Sequence, residues 1–175
     1  RKEAPVDDLG PATAKYRELG TLANLLAFNA VSTLPTRNFT AATFEGAPKL
    51  AAEELHELRL VARNSCASCS IGCEHIYSRK GGGSQRMEYE NVFALGPMCG
   101  VSDPDDVFAA SAKCDELGLD TISAGGTVAW AMECAERGLL DEPWLRFGDG
   151  PALLRALDAI GARSPGLGGL LAEGS

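Results

Sequence analysis

Apolar residues in this chain recur mostly at helical spacing, interrupted by glycine, proline and capping residues. Residues 1–10 are polar and contain proline, and read as an entry segment. From Pro11 to about Ala30, Leu19, Leu22, Leu25 and Leu26 recur near the period of a helix, with Pro11 suited to its first turn. Gly20 is a candidate point of division into two shorter helices. Pro35 then ends the pattern, since it has no N–H and restricts Leu34, leaving Arg37 and Asn38 as polar groups in a loop. A second helical pattern over Lys49–Val61 places Leu50, Leu55, Leu58 and Val61 on one side, and His56, set among glutamates, reads as solvated. Glu74–Arg79 is a candidate short strand, and Arg79–Ser84, with its three glycines, a flexible turn.

The carboxyl-terminal half carries clearer punctuation. Glu88-Tyr89-Glu90 opens the apolar segment Val92–Leu95, and residues two apart point to opposite sides of a helix, so only one of these glutamates can face inward. Ser102-Asp-Pro-Asp-Asp106 combines a side-chain cap, proline in the first turn and carboxylates at the positive end of a helix dipole. That helix runs to Leu117 and stops at Gly118, with Leu119 placed for the hydrophobic contact that follows a left-handed cap. Asp115 breaks the pattern, because an anion in a last turn faces the negative end of the helix. Asp120 has the chemistry of a cap for a further helix, from Thr121 to about Glu136, rich in small residues that permit close backbone approach. Gly138 ends it, Phe147–Pro151 is a turn, Ala152–Ile160 a helix and Leu167–Leu171 a last short one. Strand signals are few, so the fold class is all-α, a multihelical single domain spanning residues 1–175.

Composition narrows the function. With 175 residues, 45% of them hydrophobic, and a net charge of −8, the chain can bury a core and is acidic. Its basic residues are scattered rather than striped, which excludes a nucleic-acid footprint. No apolar run is long enough to span a membrane, and no secretory signal precedes Ala4. The chain has no initiator methionine and ends abruptly at Ser175, which reads as a piece of a larger protein.

Cysteine usage is the strongest chemical signal. Cys66, Cys69 and Cys73 form a C-x2-C-x3-C stretch, three thiols within eight residues. Three thiolates are one short of the four that a cubane or closed zinc site normally takes. Either His75 completes a local Cys3His zinc site, or a distant fourth ligand completes a [4Fe–4S] cluster; unligated buried thiols are the bland alternative. Cys99, Cys114 and Cys134 stand singly, which favours a reducing compartment over a disulfide framework.

Taken in order, LPTRNF, C-x2-C-x3-C, EYE, LGPMCG, D-x-x-G-L-D-T-I-S and LRFGDG resemble the tungsten-containing aldehyde ferredoxin oxidoreductases, from roughly Gly20 to Ala172. The ordered set is specific, although no single motif is. The resemblance implies the family's middle helical domain, without the preceding β-rich domain that cradles the pterin or the helical domain that follows. It also implies that Cys66, Cys69 and Cys73 hold a [4Fe–4S] cluster whose fourth ligand lies outside this chain. The radical-SAM order, C-x3-C-x2-C, is the reverse and does not match. Such a cluster carries electrons between a tungsten (or molybdenum) bis-pterin and ferredoxin as a small aldehyde becomes a carboxylic acid in the cytoplasm.

By the same resemblance, Asp115, Leu119 and Asp120 match the first pterin-binding motif. Carboxylates suit the amino and ring N–H groups of a pterin, and Gly118 lets the backbone come close. Glu90 matches a glutamate near tungsten, where a carboxylate can move a proton; Glu88 has no such match and is the expected solvent-side neighbour. Some members hold a lone iron between subunits through E-x-x-H, but the matching positions here are Ala109 and Ala112, so any homo-oligomer is expected to lack that iron. Arg37 and Asn38 match a signature loop with no assigned contact. The competing non-enzymatic reading is a helical interaction module with zinc on Cys66, Cys69, Cys73 and His75.

Overall fold

A computed structural model describes residues 10–175; the entry segment at residues 1–9 lies outside them. Eight α-helices are found among the described residues: α1 (Ala14–Leu19), α2 (Asn24–Ala30), α3 (Ala52–Arg59), α4 (Tyr89–Leu95), α5 (Pro104–Leu117), α6 (Thr121–Glu136), α7 (Gly150–Gly161) and α8 (Leu167–Leu171). A small antiparallel sheet, β1 (Leu60–Asn64), β2 (Glu74–Ser78) and β3 (Ser84–Met87), lies between α3 and α4 in the chain, with β2 in the middle. The domain is multihelical, as the apolar spacing predicts. No helix of the described residues is long and apolar enough to cross a membrane.

Gly20 does divide the first helical segment, at φ +68°, a left-handed conformation that a side chain disfavours. The Lys49–Val61 pattern is only half right. Leu50 and Leu55 are buried, but Leu58 is exposed within α3, and the helix ends at Arg59, which leaves Val61 exposed on the extended chain that follows. Of the three strands only β2 is visible in the sequence. β1 is an edge strand with four exposed residues, so it lacks the alternation that marks a half-buried strand. In β2 and β3 the alternation is real, and it buries His75, Tyr77, Gln85 and Met87.

Helices α4 to α7 form the body of the core. Val92, Leu95, Val107, Phe108, Val128, Met132, Leu153 and Leu157 are almost wholly buried there, at about 1.5–3 kcal/mol each for a large apolar side chain. Helices α4 and α6 meet at Gly125, where an added Cβ would lie 2.4 Å from the Ala94 carbonyl oxygen. That approach is what the small-residue stripe of α6 permits.

Three motif loops knit together beside this contact. The turn Pro97–Cys99 accepts backbone hydrogen bonds from Arg37 N–H to Pro97 O (3.0 Å), from Asn38 N–H to Met98 O (3.1 Å) and from Gly148 N–H to Cys99 O (2.9 Å). Arg37, Asn38 and Phe39 hold consecutive positive φ angles of 44°, 49° and 61°, a left-handed run that each residue tolerates only at a cost. The Asn38 side chain donates to Glu133 Oε2 on α6 (2.5 Å). The signature loop is therefore a tether on the Pro97–Cys99 turn.

Candidate functional site

The α5–α6 corner is built by local capping. Asp103 accepts from Asp105 N–H at 2.8 Å, Pro104 fills the first turn, and the helix ends with Gly118 at φ +68° and ψ +32°. Leu119 N–H reaches Cys114 O (2.9 Å) and Gly118 N–H reaches Asp115 O (3.4 Å), the paired bonds of a Schellman ending. Asp120 begins α6: its Oδ2 accepts from Ser123 N–H at 2.7 Å, and this bond holds the carboxyl below the usual carboxylate range. Asp115 and Asp120 are exposed and Leu119 half-buried.

Beside Leu119 and Asp120 is a cavity of about 120 Å³, lined also by Ser123, Thr127 and Ile160. Ligand pockets run to several hundred Å³, so a pterin does not fit inside it and would lie against the open corner. Space over Gly118 is clear, with nothing within 4 Å of where a Cβ would stand. Exposed carboxylates and an uncovered glycine suit the edge of a flat heterocycle rich in N–H groups.

Asp115 has a partner that the sequence does not reveal. Its Oδ2 accepts from Gln85 Nε2 on β3 at 2.7 Å. Gln85 Nε2 also donates to Ser111 Oγ (3.1 Å), and Ser111 Oγ accepts again from Asn91 Nδ2 (3.0 Å). Asn91 completes a reciprocal cap with Glu88 at the start of α4, its Oδ1 accepting from Glu88 N–H at 2.8 Å. Gln85, Ser111 and Asn91 are all buried. None of the three stands out in the sequence, because Gln85 gains meaning only once Ser84–Met87 is known to be a strand.

The two glutamates of EYE are placed opposite to expectation. Glu88 is half-buried as the α4 cap, and burial raises its carboxyl above the usual range, with Arg86 opposing; Glu90 is exposed on the first turn. Capping is the cause: the residue before the helix turns its carboxylate back toward the Asn91 N–H.

Cys66, Cys69 and Cys73 lie on the loop between β1 and β2. Cys69 N–H donates to Cys66 O at 3.0 Å, and positive φ at Ser68 (69°) and Gly72 (70°) curls the loop. Cys66 and Cys69 are exposed and Cys73 half-buried, and burial, then Glu88 and the Cys69 thiol, push the Cys73 thiol up. No group of three or more His, Cys, Asp or Glu among the described residues is arranged to hold a metal ion. The donor set still suits an iron–sulfur cluster: three soft ligands, two of them facing out, on a turn that another segment can meet.

His75 does not join them. It is fully buried on β2, its ring 5.5 Å from that of His56 and 6.4 Å from that of Tyr77. Neither ring nitrogen has a partner in good hydrogen-bond geometry, and burial, followed by His56 and Arg63, lowers its pKa against a smaller opposing effect of the Arg17 and Gly72 backbones. His56 is not the solvated residue its glutamate neighbours suggest, since its Nδ1 is buried without a partner. Tyr77, also fully buried with an unpartnered hydroxyl, is pushed up to about 12 by burial. Cys99 and Cys114 are buried as well, and burial raises both thiols to about 12, which leaves them unreactive packing residues.

Comparison with known proteins decides the family. The family model described as aldehyde ferredoxin oxidoreductase, domains 2 and 3, matches residues 6–175. The chain belongs to the aldehyde ferredoxin oxidoreductase family. Within it, the tungsten-containing aldehyde ferredoxin oxidoreductase of Thermococcus kodakarensis is 37% identical over 173 residues, covering 95% of this chain and 28% of that protein. The enzyme of the same description from Pyrococcus abyssi is 37% identical over 182 residues, covering 99% of this chain and 29% of its own length. The chain thus spans less than a third of these relatives. Among solved structures, the active-site complex BamBC of benzoyl coenzyme A reductase with 1,5-dienoyl-CoA matches with a TM-score of 0.67 and 25% identity, over 99% of this chain and 27% of that one. The Thermococcus and Pyrococcus relatives are both described as tungsten-containing oxidoreductases.

Proposed function

We propose that this chain is the cluster-bearing middle helical domain of a cytoplasmic tungstopterin (or molybdopterin) oxidoreductase that converts a small aldehyde to a carboxylic acid and passes electrons to ferredoxin. The observation that carries the reading is the cysteine loop: three thiols on one turn, two of them exposed, in a chain of this family, with His75 locked in the core.

When bound, the metal–pterin and the [4Fe–4S] cluster supply the redox chemistry. The chain's own residues bind, orient and move protons. Cys66, Cys69 and Cys73 provide three thiolates, and the exposure of the loop leaves room for a fourth from elsewhere in the protein. Asp115 and Asp120 offer carboxylate oxygens to N–H groups of the pterin, with Gly118 leaving the approach clear. Leu119 packs against the core and fixes the backbone between them.

Aldehyde oxidation by water frees protons as well as electrons. Glu90 is exposed with no capping duty, so its carboxylate is available to take one. Glu88 is committed to the cap. A zinc module in place of the enzyme would require His75 to leave the core and turn toward the loop.

The test is metal analysis and turnover of the full-length protein. It should contain tungsten or molybdenum with pterin and reduce ferredoxin when given an aldehyde. Stoichiometric zinc with no tungsten, molybdenum or pterin would overturn the proposal.

A further inference from the structure

The Asp115 carboxylate is the least secure element of the site in electrostatic terms. It stands in the last turn of α5, where the helix dipole opposes a negative charge. On the surface such a side chain would swing freely, and a mobile acceptor orients a ligand poorly. The structure holds it from one side only. Gln85 Nε2 donates to Oδ2 at 2.7 Å, and Oδ1 has no protein donor among the described residues. A carboxylate has lone pairs to spare, so one oxygen is anchored while the other stays free for a ligand.

Gln85 is itself fixed. Both hydrogens of its amide nitrogen are used, one on Asp115 and one on Ser111 Oγ. Asn91 spends both of its own on Ser111 Oγ and on the Arg86 carbonyl (3.0 Å). Flipping the Gln85 amide would set its oxygen against the Asp115 carboxylate, acceptor on acceptor, so the network admits one orientation. The chain of contacts then ends at the Glu88–Asn91 cap, one residue away from Glu90.

We infer that Gln85 is a positioning residue for the pterin site. Through Asp115 it orients the motif carboxylate, and through Ser111 and Asn91 it ties that carboxylate to the turn bearing Glu90. The inference rests on the reading of Asp115 as a pterin-facing residue. Partners behind a first-coordinating group commonly change affinity 10–100-fold when removed. Gln85 contributes no group to the pterin directly, so its effect must disappear once Asp115 is altered.

The experiment uses the full-length tungsten enzyme and measures the rate of tungsten and pterin loss during dialysis at elevated temperature, with thermal melts as a folding control. Gln85→Met, which removes the donor but keeps the volume, should lose tungsten roughly 10-fold faster than the unaltered enzyme. The double variant Gln85→Met/Asp115→Asn should lose it no faster than Asp115→Asn alone. If Gln85→Met does not accumulate as folded protein, Gln85→Glu carries the same test. Its two facing carboxylates should release tungsten quickly at pH 7, and retention should recover at lower pH, where a shared proton restores the hydrogen bond. Unchanged retention in the Gln85 variants, additive losses in the double variant, or a pH-independent loss in Gln85→Glu would overturn the inference. If Asp115→Asn itself keeps tungsten at the unaltered rate, the pterin reading of Asp115 fails, and the role of Gln85 fails with it.

Discussion

The α5–α6 corner and the cysteine loop are built on different physical terms. The corner is finished: caps, a left-handed glycine and a Schellman ending satisfy its backbone within the domain, and its carboxylates are held by Ser123 N–H and Gln85. The cysteine loop is unfinished. Cys66 and Cys69 face outward with Cys73 half-buried, and behind the loop lie imidazole and phenol groups without a well-formed hydrogen bond. A site that orients an organic cofactor benefits from rigidity fixed in advance. A loop that contributes part of a metal's coordination can take its final shape with the metal, since binding and ordering share one free energy.

This contrast can be broken in a graded way. The largest effect belongs to the rigid region. Gly125→Leu would drive a side chain into the Ala94 backbone, where even a Cβ stands 2.4 Å from the carbonyl oxygen, and should cost about 3 kcal/mol or more in thermal melts. A variant that melts with the unaltered protein would show that α4 and α6 are not locked there.

Next comes the turn that joins the two regions. In the full-length enzyme Glu90→Gln should lower turnover about 10²-fold, as removal of a general acid–base does, while Glu88→Gln keeps its capping oxygen and changes little. Equal losses at both positions would remove Glu90 from its role.

A smaller effect is expected at the ion pair between α3 and α5. Arg59 at the end of α3 pairs with Asp105 at the start of α5 (2.5 and 3.3 Å) and lies over the Phe108 ring. The Arg59 guanidinium holds the Asp105 carboxyl below its usual value. A depressed carboxylate contributes stability that is present above the unfolded pKa of about 3.9 and lost as pH falls further. Asp105→Asn should cost about 1 kcal/mol at pH 7 and flatten the acid limb of a melting-temperature profile. An unchanged acid limb would show that the pair contributes nothing.

The smallest effect separates cluster from zinc. His75→Phe replaces a buried ring that has no well-formed hydrogen bond, so stability should change by no more than about 1 kcal/mol and metal content should not change. Loss of metal in this variant would return His75 to the ligand set.

How far each region could be read from sequence follows from the range of the forces involved. The limits of α5 were legible because Asp103, Pro104 and Gly118 act on their immediate neighbours. The sheet was not. Leu55, Leu58 and Val61 continue a helical rhythm straight through the start of β1, and no glycine or proline marks the change. What redirects the chain is pairing with β2, where Asn64 meets Glu74 across the cysteine loop. Long-range polar partners were equally invisible. Asp115 looks anomalous in sequence because Gln85, thirty residues earlier, supplies its hydrogen bond, and His56 looks solvated because its tilted contact with the His75 ring is made only in the fold. The candidate residues were found through motif order. Their arrangement required the strand that bears Gln85.

The most direct test of the account is the iron and acid-labile sulfide content of the full-length protein, with the EPR spectrum of its reduced form, compared with Cys66→Ser, Cys69→Ser and Cys73→Ser. The unaltered protein should be brown, with one [4Fe–4S] cluster and its reduced EPR signal, and each of the three variants should lose both. A colourless protein with one zinc ion, or a cluster that survives all three substitutions, would contradict the account.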